Sequence, residues 1–323
     1  DPAILEYICR KEKKSIQDVL YVLNHKSGVF GVSGGLSSDF RDLRAAMERG
    51  DKLATETLEM FTYRLAKYIG GYTAAMNGVD AITFTGETTT GEMIMKACAN
   101  GVKDVSLELG GKNPAIIFAD CDIKKAVHET TRSAFANSGQ VCLGTERVYV
   151  QRPIFDEFLK ELKESASKLK VGVQNDESVD MGPVVSAAHR DKVLEFYDIA
   201  KKEGANVILG GGAPKMEGNL KDGFWVEPTI WTGLPETATV VKEEVFGPCC
   251  HVQPFDTEEE VIKMANDTKY GLAATVFTEN LDKAHRVASQ IDAGIVWINS
   301  WFLRDLRTPF GGMKGSGIGR EGG

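Results

Sequence analysis

The chain has 323 residues, of which 42% are hydrophobic and 26% charged, with a formal net charge of −8 and a pI near 5.3. This length fits about two domains, and the evenly spread apolar residues exclude a disordered chain. No window reaches the roughly 18 consecutive apolar residues of a membrane span, and the acidic balance argues against a general nucleic-acid binder.

Residues 1–78 are predicted to be mostly helical, because apolar residues recur there every three to four positions. Ser15 has the side chain and the position of a helix N-cap. A loop of small residues, 26–38, separates the second predicted helix from the third. The predicted helices are 3–13, 15–23, 39–49 and 51–76.

From residue 79 onwards strands and helices alternate, which predicts βα units on a largely parallel sheet. A turn is predicted at Gly86 and Thr88–Thr90, and a glycine-rich loop at 308–323. The first predicted strands are 79–85, 105–109 and 115–118, with helices at 93–99 and 122–136. Beyond them, strands and helices alternate over 147–151, 154–169, 187–203, 206–209, 238–241, 257–266, 273–277, 281–290 and 295–299.

The cysteines and the first residue bear on the cellular compartment. The chain begins at Asp1 rather than Met and shows no secretory signal, so we expect a fragment or a processed chain. No cysteine pair has C-x-x-C spacing, and no Cys/His set has zinc spacing. We therefore predict no metal site, a cytoplasmic location and free thiols for the cysteines at 9, 98, 121, 142, 249 and 250.

Two stretches carry side chains suited to chemistry. Cys142 follows small and polar residues that keep the backbone open, and an attacking thiolate needs free N–H groups nearby to hold an oxyanion. Glu108 ends a predicted strand just before Gly110 and Gly111, where a carboxylate can face a cleft. Taken singly, each also fits a structural role, as a buried cysteine that packs like a small hydrophobe or as a surface glutamate.

Four motifs together resemble the aldehyde dehydrogenase superfamily from roughly residue 80 to the end. The resemblance implies an α/β catalytic domain, with helices on a parallel-rich sheet, and NAD or NADP as the cofactor. The sequence does not choose between the two. The motifs are Glu-Leu-Gly-Gly-Lys-Asn-Pro at 108–114, Ser-Gly-Gln-Val-Cys at 138–142, Lys-Glu-Glu-Val-Phe-Gly-Pro at 242–248 and Pro-Phe-Gly-Gly-Met-Lys-Gly-Ser-Gly-Ile-Gly-Arg-Glu at 309–321.

The resemblance implies that Cys142 is the nucleophile and Glu108 the general base. A thiolate would add to the aldehyde carbon, with the backbone N–H of Cys142 donating to the oxyanion, and oxidation would leave a thioester. Glu108 would then activate the water that releases the acid, which requires a pKa raised by partial burial. The expected cofactor contacts are Gly86, Glu87, Gly91, Leu109, Gly110, Glu244 and Phe246.

The segment 299–307 before the last motif resembles the muconate semialdehyde branch of this family. Arg304 and Arg307 are unusual there for enzymes of simple aliphatic aldehydes, and arginine suits bidentate binding of a carboxylate. We expect Arg304 and Phe310 to contact the substrate, a semialdehyde that carries a carboxylate. A salt bridge from Arg304 to Asp305 or to a neighbouring acid is an equally weighted alternative.

Residues 1 to about 85 instead resemble part of the C-terminal, actin-like domain of acetate kinase. This resemblance implies that Asp39, Phe40 and Arg41 are a remnant of an ATP site. It rests on Asp-Pro-Ala-Ile at 1–4, Leu-Asn-His-Lys-Ser-Gly at 23–28, Gly-Val-Ser-Gly at 31–34, Ser-Ser-Asp-Phe-Arg-Asp at 37–42 and residues 68–82.

We therefore interpret the sequence as a chimera of three segments. They are an acetate kinase-like fragment at 1–85, a remnant of the dinucleotide-binding domain at 86–108 and an aldehyde dehydrogenase catalytic domain at 109–323. The first strands, the ribose-binding lysine and the oxyanion asparagine of the aldehyde dehydrogenase family are not found in residues 1–80.

Three functions stay open: an aldehyde dehydrogenase impaired by that loss, an acetate kinase-type phosphotransferase that uses ATP, and an inactive chimera. The expected partner is a small aldehyde rather than a nucleic acid or membrane, and a homo-oligomer stays open.

Overall fold

The structure is a computed structural model that describes residues 3–75, 81–99, 103–173 and 176–322. The chain divides into two compact units, Asp1–Val79 and Asp80–Gly323. Among the described helices, none is both long and apolar enough to cross a membrane. The segment boundaries proposed above, after residues 85 and 108, stay predictions.

The first unit is helical in its described part, as the sequence predicts. Ser15 caps the second helix through a capping box with Asp18. The predicted loop at 26–38 is wrong in one respect: it contains a short helix, because Val29 packs on a small core around Leu43. The predicted helix end at Met76 lies outside the described residues. The helices are α1 (Ala3–Glu12), α2 (Ile16–His25), α3 (Gly28–Val32), α4 (Phe40–Glu48) and α5 (Lys52–Ala75).

The second unit alternates strands and helices. Its helices are α6 (Thr88–Ala99), α7 (Ile123–Phe135), α8 (Phe155–Ala166), α9 (Ala187–Lys202), α10 (Thr239–Lys242), α11 (Glu258–Asn266) and α12 (Leu281–Ala288). Its strands are β1 (Ala81–Thr85), β2 (Asp104–Glu108), β3 (Asn113–Ile117), β4 (Thr145–Gln151), β5 (Asn206–Leu209), β6 (Thr229–Thr232), β7 (Cys249–Phe255), β8 (Tyr270–Gly271), β9 (Ala273–Phe277), β10 (Ile295–Ile298), β11 (Met313–Lys314) and β12 (Gly317–Ile318).

The structure differs from the sequence prediction in several elements, and the predicted loop at 308–323 contains the short strands β11 and β12. The threonines predicted as a turn begin α6, because the carbonyl of Glu87 accepts the N–H groups of Thr90 and Gly91. Strands β6 and β7 were not predicted at all. The predicted start of the first strand, at residues 79–80, lies outside the described residues, and β1 pairs with β2 within the second unit.

The main sheet has seven strands in the order β10-β9-β3-β4-β7-β6-β5, and every pair except β5–β6 is parallel. This confirms the predicted largely parallel α/β sheet. Neighbouring residues of one strand face opposite layers of helices. Ala115 and Ile117 of β3 pack in a cluster with residues of α7 and α8. Ile116 between them packs in a second cluster with residues of α11 and α12.

A smaller sheet, with the order β1-β2-β12, carries one end of the candidate site. β1 runs parallel to β2 and pairs Thr85 with Glu108 at its end. β12 runs antiparallel to β2 and pairs Gly317 with the same Glu108. Glu108 therefore lies between the first strand of this unit and the glycine-rich C-terminal segment.

The amino ends of β3, β4 and β7 lie at one edge of the main sheet, because these strands are neighbours and parallel. The segments that lead into them are therefore brought together. These segments are the turn 109–112 before β3, the loop 136–144 before β4 and residues 243–248 before β7. They contain three of the four aldehyde dehydrogenase-like motifs.

Arg147, near the start of β4, is buried and connects this edge of the sheet to helix α11 by hydrogen bonds. Its guanidinium donates to the carbonyls of Met264 and Ala265, at the carboxyl end of α11, at 3.0 and 2.8 Å. It also donates to the carbonyl of Lys112 at 2.9 Å. A cation that caps the last carbonyls of a helix is favourable, and here it also fixes the start of β4.

We expect Arg147→Met to lower the free energy of unfolding by about 3 kcal/mol, because three buried carbonyls lose a charged donor. Arg152→Met is the matched control at the other end of β4, since its pair with Asp256 is more than half exposed. Its cost should stay below about 1 kcal/mol. Urea unfolding followed by circular dichroism measures both, and equal losses would contradict the assignment.

Candidate active site

The turn between β2 and β3 places the candidate base. Glu108 is the last residue of β2, and its carbonyl accepts the N–H of Gly86 at 3.0 Å. The N–H of the next residue, Leu109, donates to the carbonyl of Ser316 at 2.8 Å. Backbone contacts on both sides therefore fix the strand end from which the carboxylate projects.

The Glu108 side chain is buried, and its Oε1 has no hydrogen-bond partner among the residues that the structure describes. Burial is the main cause that raises the pKa of this carboxyl, and the charge of Glu321 raises it further. Arg320 and Arg304 act in the opposite direction. A buried carboxyl with an unpaired oxygen and a raised pKa has the properties of a general base.

The loop before β4 reaches Cys142 through a run of left-handed backbone. Asn137, Ser138 and Gly139 have φ of 50°, 56° and 72°. Gly139 lies so close to the backbone of Gly247 that a side chain at this position would overlap it. Glycine is therefore required where the loop 136–144 crosses the segment before β7.

Cys142 is half-buried against a cluster that contains Trp301 and Phe310. Burial raises the pKa of its thiol, and the negative charges of Glu244 and Glu108 raise it further. The backbone N–H groups of Cys142 and Leu143 lower it. Both candidate carboxylates therefore act on the thiol, and two N–H groups beside the sulfur favour the thiolate.

Glu244 lies over the two glycines that follow Glu108. Its Oε1 accepts the N–H of Gly111 at 2.8 Å, and a side chain at Gly110 would collide with the carboxylate. Its Oε2 has no hydrogen bond in the described part of the chain. Burial and the nearby charge of Glu146 raise the pKa of Glu244 to about 7.

Phe246 is held in a left-handed conformation, with φ of 58°, by a carboxylate from β4. Glu146 accepts the N–H groups of Val245 and Phe246 at 3.0 and 2.9 Å, and it forms a buried ion pair with Lys112. On the other side, the carbonyl of Phe246 is hydrogen-bonded to the ring of His189 at 2.8 Å. The conformation of this turn is thus fixed on both faces.

A β-bulge directs Glu146 towards that turn. Asn113 pairs with Thr145 and Pro114 pairs with Arg147, so Glu146 has no partner in β3. Bulges re-aim side chains and are common beside active sites. Here the bulged residue is the one that meets Lys112 and the backbone of the segment before β7.

The remaining predicted cofactor residues surround the start of α6. Gly86 forms the turn after β1, and the exposed Glu87 provides the carbonyl that begins the helix. Gly91 is buried against Leu109, and a Cβ there would lie 2.6 Å from a methyl carbon of that leucine. The structure therefore brings Gly86, Gly91 and Leu109 together beside Glu108.

Arg304 lies over the ring of the buried Phe310, with its guanidinium carbon 4.0 Å from the ring centroid. The alternative salt bridge to Asp305 is not made by Arg304, because Arg307 pairs with Asp305 through two hydrogen bonds. Within the described residues Arg304 has no ion pair, and its charge acts on Glu108. The cation is therefore available near the candidate base.

The predicted ATP remnant lies in the first unit. Asp39 precedes α4, and its N–H donates to the hydroxyl of Ser37 at 2.9 Å. The ring of Phe40 packs edge-on against Phe61 of α5, with centroids 4.5 Å apart. Arg41 lies in α4, and its side chain is outside the described part. An ATP-binding role for these residues stays a prediction.

Sequence reasoning missed three buried polar residues of this site, namely Lys112, Asn113 and Glu146. Asn113 donates to the carbonyls of Cys142 and Gly144, and Glu146 pairs with Lys112. Their positions inside or next to the motifs are a usable signal. Polar side chains that flank a nucleophile and a base, and that follow glycines, are candidates for holding the two loops together.

Family models match both parts of the sequence. The model of the aldehyde dehydrogenase family matches residues 62–323, and that of the acetokinase family matches residues 1–116. The two matches overlap over residues 62–116. Both resemblances inferred from the motifs are confirmed, although each match extends further than the motifs do.

Curated relatives match about three quarters of the chain. The chain is 61% identical over 254 residues to 2-hydroxymuconic semialdehyde dehydrogenase of Pseudomonas sp. (strain CF600). The aligned residues make up 79% of this chain and 52% of the relative. The chain is 58% identical over 245 residues to 2-aminomuconic 6-semialdehyde dehydrogenase of Pseudomonas sp.. This alignment covers 76% of this chain and 50% of the relative. The chain thus spans about half the length of these curated relatives.

A solved structure supports the fold. The crystal structure of betaine aldehyde dehydrogenase from Staphylococcus aureus in complex with NAD+ matches with a TM-score of 0.74 and 45% identity. The match covers 76% of this chain and 48% of the other. The predicted resemblance to the fold of that superfamily is therefore confirmed over the 76% of the chain that the match covers.

The pKa of Glu244, raised from 4.5 to about 7, predicts a pH dependence of stability. The buried carboxyl favours folding while it is protonated. Its contribution is therefore complete below about pH 4.5 and is lost as the pH rises through 7. Glu244→Gln keeps an acceptor for Gly111 but does not titrate. We expect the Tm of Glu244→Gln to rise relative to that of the wild type between pH 5 and pH 8.

The control for this prediction is Glu243→Gln, since Glu243 is exposed and pairs with Lys269. It should keep a nearly constant difference in Tm from the wild type over the same range. Differential scanning calorimetry at each pH measures all three proteins. A Glu244→Gln curve parallel to that of the wild type would show that this carboxyl does not titrate near 7.

Proposed function

Because the chain belongs to the aldehyde dehydrogenase family, we propose that its second unit oxidises an aldehyde to an acid, with NAD or NADP as the cofactor. The observation that carries this proposal is a half-buried thiol, Cys142, together with a buried carboxylate, Glu108, whose Oε1 has no hydrogen-bond partner among the described residues. One residue is suited to covalent attack and the other to activation of water. The family relationship gives the order in which they act.

Cys142 is the nucleophile in this proposal. Its thiolate adds to the aldehyde carbon and forms a C–S bond, while the carbonyl electrons move to the oxygen. The N–H of Cys142, which already favours negative charge on the sulfur, is the donor closest in sequence to the developing oxyanion. Proton loss from the thiol is opposed by Glu108 and Glu244 while both are charged, so we expect attack to be fastest when at least one is neutral.

The residues before β7 fit a nicotinamide nucleotide. Glu244 presents an unpaired carboxylate oxygen, which suits a ribose hydroxyl, and Phe246 presents a ring on a rigid turn. The cofactor, when bound, would supply the hydride acceptor for the oxidation. A relative in this family that is 45% identical was crystallised with NAD+.

Glu108 acts in the release of the acid. It takes a proton from a water molecule, which attacks the thioester carbon and restores the Cys142 thiolate. A base for this step must accept a proton from water near neutral pH, so its pKa should lie above that of an ordinary carboxyl. Burial raises the pKa of Glu108. The Oε1 atom without a partner is the acceptor that this step requires.

The substrate class that we propose is a semialdehyde with a carboxylate at its other end. Arg304 has no ion pair within the described residues, and its guanidinium is held over the Phe310 ring beside Cys142. Arginine at such a place suits a carboxylate. The names of the relatives at 61% and 58% identity refer to semialdehydes of this kind.

The first test measures the chemistry of the two residues separately. Iodoacetamide should label Cys142 in the wild type, as detected by mass spectrometry of its peptide, and Cys142→Ala should lose this labelling. Glu108→Gln should keep the labelling but slow the release of the acid by about 10²- to 10⁴-fold. NADH formation at 340 nm, with a burst of one equivalent per site in Glu108→Gln, reports that release.

Equal labelling of wild type and Cys142→Ala would refute the nucleophile. Unchanged turnover in Glu108→Gln would refute the base alone. Because the other five cysteines also react at some rate, the comparison uses only the peptide that contains Cys142.

The second test concerns the substrate anchor. An aldehyde that binds at the site should protect Cys142 from iodoacetamide, and this readout needs no turnover. We expect Arg304→Met to raise the half-protecting concentration of succinic semialdehyde by about ten- to a hundredfold, because a charged hydrogen bond is lost. Protection by the neutral butanal should not change.

Arg307→Met is the matched control, since its guanidinium is exposed and already paired with Asp305. It should leave protection by both aldehydes as in the wild type. Equal effects of Arg304→Met on the two aldehydes would rule out Arg304 as a carboxylate anchor.

A further inference from the structure

Asn113 joins three segments of the second unit through one side chain. Its Nδ2 donates to the carbonyls of Cys142 and Gly144, both at 2.7 Å, and its Oδ1 accepts the N–H of Ala273 at 3.0 Å. The residue is almost completely buried, with 3% of its surface exposed. Two carbonyls face Nδ2 and one N–H faces Oδ1, so the amide has one well-defined orientation.

The bond to the Cys142 carbonyl has a consequence for the thiol. This carbonyl and the N–H of Leu143 belong to the same peptide unit, which is planar and trans. Holding the oxygen therefore also fixes the direction of the N–H, which points the opposite way. That N–H is one of the two groups that favour negative charge on the sulfur of Cys142.

The Gly144 carbonyl restrains the same loop one step further along. With Asn113 on both carbonyls, the backbone from Cys142 to Gly144 cannot rotate about the peptide that carries the Leu143 N–H without straining one part-buried and one buried hydrogen bond. Breaking them would leave carbonyls unsatisfied in the protein interior, which is costly.

We propose that Asn113 is a positioning residue for Cys142: its amide holds the Cys142 carbonyl so that the N–H of Leu143 stays turned towards the sulfur and stabilises the thiolate. This inference rests on the proposed function, because it assigns a purpose to the reactivity of Cys142. It does not require a bound cofactor or turnover. Asn113 touches neither substrate nor cofactor in this role and acts only through the backbone of the loop.

The choice of test variants depends on the charged and polar groups that already act on the Cys142 thiol. Glu244, before β7, and Glu108, at the end of β2, both act against the thiolate, and the N–H groups of Cys142 and Leu143 act for it. Asn113→Asp would add a third negative charge and confuse the result. Asn113→Leu removes the donors with nearly the same shape and no charge, and Asn113→Ser keeps one shorter donor.

The experiment is the rate of iodoacetamide labelling of Cys142 in the full chain between pH 6 and pH 10, measured on the peptide that contains it. For Asn113→Leu we expect the midpoint of the pH–rate curve to rise by about one unit and the rate at pH 7 to fall by about tenfold, since only the thiolate reacts. Asn113→Ser should lie between this variant and the wild type.

Asn266→Leu is the matched control. Asn266 is also an amide that joins two segments, through the carbonyl of Gln290 and the N–H of Asp292, but it does not touch the loop of Cys142. Its loss should lower the Tm without moving the midpoint. A merely structural role of Asn113 would give the same result as this control.

An unchanged midpoint in folded Asn113→Leu would overturn the inference while leaving the proposed function intact. If Asn113→Leu does not fold, Asn113→Ser decides, and a wild-type midpoint in that variant overturns the inference. A wild type that labels no faster than Cys142→Ala at the Cys142 peptide would overturn the proposed function and this inference with it.

Discussion

The buried ion pair between Lys112 and Glu146 is the interaction on which the site depends. It links the turn after Glu108 to the start of β4, and the same carboxylate holds the N–H groups of Val245 and Phe246. Removing one partner of such a pair leaves an uncompensated charge in the interior, which typically costs about 3–5 kcal/mol. Three segments that are distant in sequence are thus kept in one arrangement by groups that do no chemistry themselves.

Local signals in the sequence were sufficient for much of the fold. Ser15 and Asp122 have the side chains of N-caps and act as such, and the strand Ala273–Phe277 was predicted to the residue. Strand β7 was missed, although it lies in the middle of the sheet, because Pro254, the buried His251 and the partly buried Gln253 interrupt its apolar pattern. Strand β6, which has four residues, was also missed.

The nucleophile and the base could be predicted because each lies in a motif, whereas the residues that hold them in place, Asn113 and Glu146, could not. The bond from Asn113 to Ala273 spans 160 positions and that from Glu146 to Phe246 spans 100. No local periodicity encodes such pairs, and only the parallel order of the strands brings them together. The two family matches overlap over residues 62–116, a range that contains β1, its turn and α6.

The segments of the candidate site that precede β3, β4 and β7 lie at the amino edge of the parallel strands, whereas Arg304 and Phe310 follow the carboxyl end of β10. At the opposite, carboxyl edge, the turns after β4 and β3 are held by the exposed pair of Arg152 with Asp256 and by the part-buried hydrogen bond from Thr278 to Asp120. The two edges are separated by the full length of the strands, so the turns after β3 and β4 lie away from Cys142 and Glu244, unlike the segment after β10 that carries Arg304. A dye or an affinity tag inserted in those turns would report on the protein from the far side of the sheet without entering the chemistry.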